Sequence, residues 1–388
     1  MSAASPVPKV YGWCPGALRP MKSGDGLVVR VRAPLGRLTP AQARGLAALS
    51  QDLGNGLLDI SARASLQLRG IREDAHEALL AGLRDLHLLD PDASAEARRN
   101  VLVQPFWQTG DDTHTIAASL SAALTGDSDL SLPGKFGFAV DCGPAPLLQE
   151  AAADIRIERG RDGLILRADG AEAGLPVTPE TAAEAALALA RWFLAQGGAP
   201  EGRGRMHCLT ARRGPPASHG AARGTPAPQP APGPAASGVL AALEFGQMPA
   251  ATLAQLAGLG PLRLTPWRML LVEGASRVPP LPGLILDATD PRLLVSVCTG
   301  APGCLQALSA TRALARDLAP SLPAGARLHV SGCAKGCAHP GPAPLTLTAT
   351  GRDEFALIRN GSAADAPLKS HLSARQLRAA PTILTEGS

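Results

Sequence analysis

The chain has 388 residues, 45% of them hydrophobic and 18% charged, with a formal net charge of +4. That length implies two to four modules, each burying its own core, and no apolar run approaches the roughly 20 residues that cross a bilayer. Aromatic residues make up only 3% of the chain, which leaves few stacking platforms for nucleic acid, while the arginine-rich excess suits an acidic small molecule.

Residues 1–15 contain no charged leader followed by an apolar stretch, so a cytoplasmic, reducing location is expected. Residues 27–31 read as a strand, and Thr39 and Pro40 open a helix whose Leu46, Leu49 and Leu53 share one face. The glycines at 54 and 56 end it. Strands at 57–60 and 66–71 flank a turn at 61–65, and a second helix buries Leu79, Leu83 and Leu86. A strand at 100–103 and a helix at 113–124 follow, after which Leu132 and Pro133 lead into a strand at 136–140 and then Cys142. Residues 214–238 are mostly Gly, Pro and Ala and read as a linker, disordered or partly extended.

Beyond the linker the same order of elements returns. A strand at 239–245, a helix at 250–259 and strands at 262–264 and 269–272 repeat the opening plan. A strand at 293–297, a helix at 305–318, the Leu322–Pro323 landmark and a strand at 328–330 ending at Cys333 repeat the sequel. The expected fold is therefore α+β and duplicated. Its expected units are residues 1–90, a ferredoxin-like half-domain; 91–213, a larger α/β module; the linker at 214–238; 239–290, a second half-domain; and 291–388, a second module. A site at the interface of the two copies could draw groups from both.

Only the second copy carries a full cysteine set. Five residues separate Cys298 from Cys304, and three separate Cys333 from Cys337, each pair following a strand. Gly300, Gly303, Gly332 and Gly336 let the backbone curl so that thiolates converge while amides stay free to donate to sulfur. Four thiolates in two loops match [4Fe-4S] ligation. Zinc knuckles have shorter gaps, and a zinc site or unrelated buried cysteines remain the alternatives. Cys14, Cys142 and Cys208 have no partner at such spacing and read as small hydrophobes.

Two half-domains each followed by an α/β module, with cysteine pairs separated by five and then three residues, resemble the siroheme sulfite and nitrite reductase superfamily over nearly the whole chain outside the linker. Within it, the opening Cys14-Pro-Gly-Ala-Leu-Arg-Pro-Met-Lys-Ser-Gly-Asp-Gly26 resembles the precorrin-3B synthase family of aerobic cobalamin synthesis. That resemblance implies oxygen-dependent hydroxylation of the tetrapyrrole precorrin-3A at C20 with closure of an acetate lactone. It implies O2 and an external electron donor as partners, no nucleic acid and no membrane. By the same resemblance Arg63, in Ser61-Ala-Arg-Ala-Ser-Leu-Gln-Leu68, and Arg99, in Arg99-Asn-Val-Leu, match tetrapyrrole-binding arginines. Lys135, in Leu132-Pro-Gly-Lys-Phe136, matches the first of two catalytic lysines; the second falls at Gly137.

Losing that second cation weakens the case for six-electron reduction of an inorganic anion, which needs repeated proton delivery. Arg63, Arg99 and Lys135 would instead bind the carboxylates of a macrocycle. A siroheme-dependent reductase is the nearest alternative reading, with siroheme as cofactor, and a non-catalytic iron-sulfur carrier or sensor is the next. No Gly-x-Gly-x-x-Gly fingerprint is present, so electrons are expected from outside. The resemblance also implies a mononuclear non-haem iron, whose ligands the eight histidines do not identify. His339, near Cys337, reads as a hydrogen-bond donor or loop residue, and His207 is a weaker candidate.

Overall fold

The computed structural model describes residues 14–323 and 325–385. The first unit comprises β1 (Met21–Ser23), β2 (Gly26–Val31), β3 (Arg37–Leu38), α1 (Pro40–Leu53), β4 (Leu57–Ile60), β5 (Leu66–Ile71) and α2 (His76–Asp85). Helix α1 starts where it does because Thr39 and Gln42 form a reciprocal capping box with Pro40 at the first helical position. Its Ala43, Leu46 and Ala47 are buried.

Next come α3 (Ala93–Arg98), β6 (Val101–Val103), α4 (Asp112–Gly126), β7 (Phe138–Asp141), β8 (Ile155–Arg159), β9 (Leu164–Ala168), β10 (Ala173–Val177), α5 (Ala182–Ala195), α6 (Met206–Arg213) and β11 (Ala221–Ala222). Strands β6, β7 and β8 are parallel, and β9, β10 and β11 extend the sheet antiparallel.

The chain then repeats itself. The second half-domain holds β12 (Gly233–Ala235), β13 (Gly238–Leu243), β14 (Gln247–Pro249), α7 (Ala250–Leu256), β15 (Leu262–Leu264), β16 (Met269–Glu273) and β17 (Leu284–Ile285). The second module holds β18 (Val295–Val297), α8 (Arg312–Leu318), β19 (Leu328–Ser331), β20 (Ala343–Gly351), β21 (Glu354–Gly361), β22 (Lys369–Ser373) and α9 (Ala374–Ala379). Here again three parallel strands, β18, β19 and β20, continue into two antiparallel ones.

The two half-domains exchange a strand. One sheet runs β1-β2-β5-β4-β14 and the other β12-β13-β16-β15-β3, so β3 and β14 each complete the sheet of the opposite copy. Both exchanges follow the same tight turn, with Leu35 and Gly36 at φ 51° and 72° and Phe245 and Gly246 at 56° and 76°. The register makes the copies comparable residue by residue: Asp59 faces Gln67 as Arg263 faces Leu271. Leu46, Leu58, Leu68, Leu253, Leu262 and Leu270 share one buried core, so burial of apolar surface binds the two half-domains to each other as well as within themselves.

Two expectations need correcting. The helix predicted over 305–318 begins only at Arg312, because the chain after Cys304 is spent on turns in which Cys304 N donates to Gly300 O and Ala307 N to Cys304 O. Leu305, the first residue of the expected helix, is 69% exposed. The helix predicted over 250–259 ends at Leu256, and Gly258 closes it with a turn onto Gln255 O. The Pro-rich stretch is extended and laid along the protein: β11 and β12 add to sheet edges, and Ala227 N donates to Pro146 O. Among the described residues no helix is long and apolar enough to cross a membrane.

Candidate functional site

Cys298 and Cys333 follow the ends of the neighbouring parallel strands β18 and β19, whose last pairs include Val297 with Val330. Two glycines allow the loops to close on each other. A Cβ on Gly300 would stand 2.4 Å from Thr311 Oγ1, and one on Gly332 would stand 2.7 Å from Ala307 Cβ. Gly332 N donates to Cys298 Sγ at 3.1 Å, and Thr311 Oγ1 donates to Cys298 O at 2.9 Å. The first half-domain anchors this loop, since Ser23 Oγ and Arg69 Nη2 both donate to Gly303 O.

Burial pushes the Cys333 and Cys337 thiols up, and the charges of Cys298 and Cys304 push both further. With Cys298 and Cys304 beside them, on glycine-bent loops with an amide already aimed at sulfur, they form a donor set suited to a cationic iron-sulfur centre. Among the described residues no three His, Cys, Asp or Glu side chains are grouped as they would be around a single metal ion.

A second cluster lies in the first half-domain, at the β4–β5 turn of the sheet that carries Arg69. The β4–β5 turn is tied by Ser61 Oγ, which accepts from Arg63 N and Ser65 N, with Ala64 at φ 49°. Burial lowers the pKa of Arg63, which Cys14 partly offsets, and its Nη1 is buried without a hydrogen-bond partner. Burial raises the Cys14 thiol, but the charges of Arg30 and Arg63, a hydrogen bond from Arg30 and the charge of Lys135 outweigh it and hold the thiol below its ordinary value. Cys14 is therefore no inert hydrophobe: it stands among three cations. Glu96 fixes this segment by accepting from the amides of Ala17 and Leu18.

Arg30 Nη2 donates to Gln67 Oε1 at 2.8 Å. Gln67 and Arg69 alternate along β5 and so share a face. One buried polar face thus runs from Arg30, beside Cys14, to Arg69, which holds the cysteine loop.

Arg99 is placed differently from the expectation. Asp90 grips its Nε at 2.6 Å and its Nη2 at 2.9 Å, and Nη2 also donates to Arg32 O. Its Nε and Nη2 are thus engaged within the protein. Arg32 and Arg63 line a cavity of about 20 Å³ together with Arg99. Arg32 Nε and Nη1 are buried and make no hydrogen bond, Glu96 lies 3.6 Å away, and burial with the nearby Arg30 charge pushes Arg32 down to about 10.

Gly137 is fixed by contact. Its amide donates to Asp154, which also accepts from Arg205 Nε and Met206 N. A Cβ there would stand 2.6 Å from Asn100 Nδ2 and 3.3 Å from Arg63 Nη1, so a second lysine has no room. His339 Nε2 lies 3.0 Å from Pro342 O, with its ring 5.9 Å from that of the fully buried His329. His207 is an exposed neighbour of Asp169.

Sequence reasoning brought Arg63 and Lys135 to one cluster but missed Cys14, Arg30, Arg32 and Arg205. The one available signal was the alternation of Arg30 and Arg32 on a strand, which aims both to one face.

Residues 19–86 match the family described as nitrite/sulfite reductase ferredoxin-like half domain. A precorrin-3B synthase from Sinorhizobium sp. is 31% identical to this chain, covering 92% of it and 84% of the relative. The structure of the Mycobacterium tuberculosis NirA protein superposes with a TM-score of 0.62 at 18% identity, over 91% of this chain and 79% of that one. The likeness to NirA is one of fold.

Proposed function

Because the chain belongs to the precorrin-3B synthase family, we infer that it is an oxidoreductase that uses O2 to hydroxylate precorrin-3A at C20 and close the acetate lactone in aerobic cobalamin synthesis. The observation that best supports a tetrapyrrole site beside a redox centre is the polar sheet face that links Arg30 and Gln67 to Arg69 and the cysteine loop.

In this reading Cys298, Cys304, Cys333 and Cys337 hold a [4Fe-4S] cluster. When bound, that cluster supplies electrons one at a time, received from an external donor. The macrocycle's carboxylates are met by Arg63, whose buried Nη1 lacks a protein partner, and by Lys135, which adds a point charge. Arg99 acts through Asp90 and the Arg32 carbonyl as a positioning residue. Gly137 brings Asn100 and Arg63 into contact range and leaves Lys135 without a companion lysine, which favours the macrocycle as substrate over a bound inorganic anion. The described residues offer no His, Cys, Asp or Glu trio that fits a mononuclear iron.

The test is incubation of anaerobically purified protein with precorrin-3A, a reductant and ¹⁸O2. Mass spectrometry should find one labelled oxygen in the product. A product without label, formed by protein with an intact cluster, would overturn the assignment.

A further inference from the structure

The duplication gives the Arg63 cluster a counterpart. Strand register equates Arg63 with Trp267 and Ala64 with Arg268, the latter two both in left-handed conformation at φ 49° and 58°. By the same comparison Arg99 corresponds to Leu293, Asn100 to Leu294, and Gly137 to Arg327. The counterparts Trp267, Arg268, Leu293, Leu294 and Arg327 all line one cavity of about 750 Å³, with Phe245 in its wall. The space around Arg63 and Arg99 is about 20 Å³.

The chemistry of the two sites has separated. Arginines that face the first site are replaced by Trp267 and Leu293, and sheet positions Arg30 and Gln67 by Leu240 and Leu271, which join an apolar cluster with Met269. Within these walls the Arg268 guanidinium makes no hydrogen bond or ion pair with any described residue, while its carbonyl accepts from Leu243 N. Burial depresses its pKa, partly offset by Asp59. A half-buried guanidinium that opens on a cavity and has no protein partner is available to an acidic ligand group, and aromatic walls favour flat rings.

We propose that this cavity is a second small-molecule site, taking a flat aromatic molecule with a single acidic group that pairs with Arg268. Its volume falls in the range of about 300–1,000 Å³ typical of such sites. Arg292, Arg327 and Glu150 also stand in the wall, Arg292 already paired with Glu244 and Asp290, and competition by a multiply charged macrocycle is read directly by the test below. The proposal does not depend on the synthase reading.

The probe is 1-anilinonaphthalene-8-sulfonate, titrated calorimetrically into the full-length holoprotein beside its uncharged relative N-phenyl-1-naphthylamine. One saturable site is expected, undisplaced by uroporphyrin, with energy transfer from Trp267 that Trp267→Leu removes. Arg268→Met should weaken the sulfonate about tenfold and leave the uncharged probe within about twofold. Leu294→Trp, which fills the cavity, should abolish both; Ala288→Trp at the exposed rim serves the same end if the first does not fold. Absence of saturable binding, displacement by uroporphyrin, or indifference to Arg268→Met and a folded filling variant would overturn the proposal.

Discussion

Arg99 is held by Asp90 through two hydrogen bonds of 2.6 and 2.9 Å, in a pair whose side chains are 16% and 8% exposed. One edge of its fork is already occupied. Arg99→Met should therefore destabilise the fold by about 3 kcal/mol, with a smaller effect on KM than loss of Arg63. Adding Asp90→Leu should recover most of the loss. Urea denaturation of the two variants measures this, and a tenfold rise in KM at unchanged stability would instead put Arg99 on the substrate.

Arg63 gives the opposite pattern. Its buried Nη1 awaits a partner, and a hydrogen bond to a charged group contributes about 1.5–3 kcal/mol. Arg63→Met should raise KM for precorrin-3A by roughly 10- to 100-fold, leave kcat within a few-fold and cost the fold little. Steady-state kinetics with a thermal melt separates these effects.

At Gly137 a methyl group is enough. Gly137→Ala should destabilise by about 1–3 kcal/mol through overpacking, because Asn100 Nδ2 is held in place by Phe136 O. Gly137→Lys should not confer sulfite reduction. Adding Asn100→Gly should relieve part of the strain in either variant, as read by denaturation midpoints.

The Cys14 thiol is held below its ordinary value by Arg30, Arg63 and Lys135 against the effect of burial. The sign follows: the thiolate is favoured in the folded state, so its stabilisation is present above the unfolded pKa and fades as pH falls through the folded one. The pH profile of iodoacetamide alkylation at Cys14, followed by peptide mass, should have its midpoint below that of the unfolded chain. Arg30→Met should move it upward.

Replacing any one of Cys298, Cys304, Cys333 or Cys337 with alanine should lower iron and acid-labile sulfide below about four per chain and bleach the visible absorption. Elemental analysis with a spectrum tests it. Four alanine variants that each keep the full complement would sink the cluster assignment.

Local signals were legible where they decide the structure. Thr39, Pro40 and Gln42 announce α1, and the alternation on either side of Ser61–Ser65 yields β4 and β5 with the bounds they have. The helix expected from Leu305 onward was misplaced because the chain there bends in turns after Cys304 and leaves Leu305 exposed. Cys14 was unreadable for another reason. A lone cysteine has no spacing to interpret, and its character comes from Arg30, Arg63 and Lys135, brought to it by β2, the β4–β5 turn and the loop before β7. Likewise nothing in the sequence ties Arg99 to Asp90 before the chain folds back on itself.

The exchange of β3 and β14 has a consequence for ancestry. Two chains that swap a strand are a dimer, and here the swap lies within one chain, as a gene fusion of such a dimer would leave it. While the subunits were identical, every substitution struck both sites at once. Fusion ended that constraint, so Arg63 could stay basic while its twin became Trp267. The swap also makes separation futile: a chain cut within 214–238 should yield halves that recover their fold only when mixed.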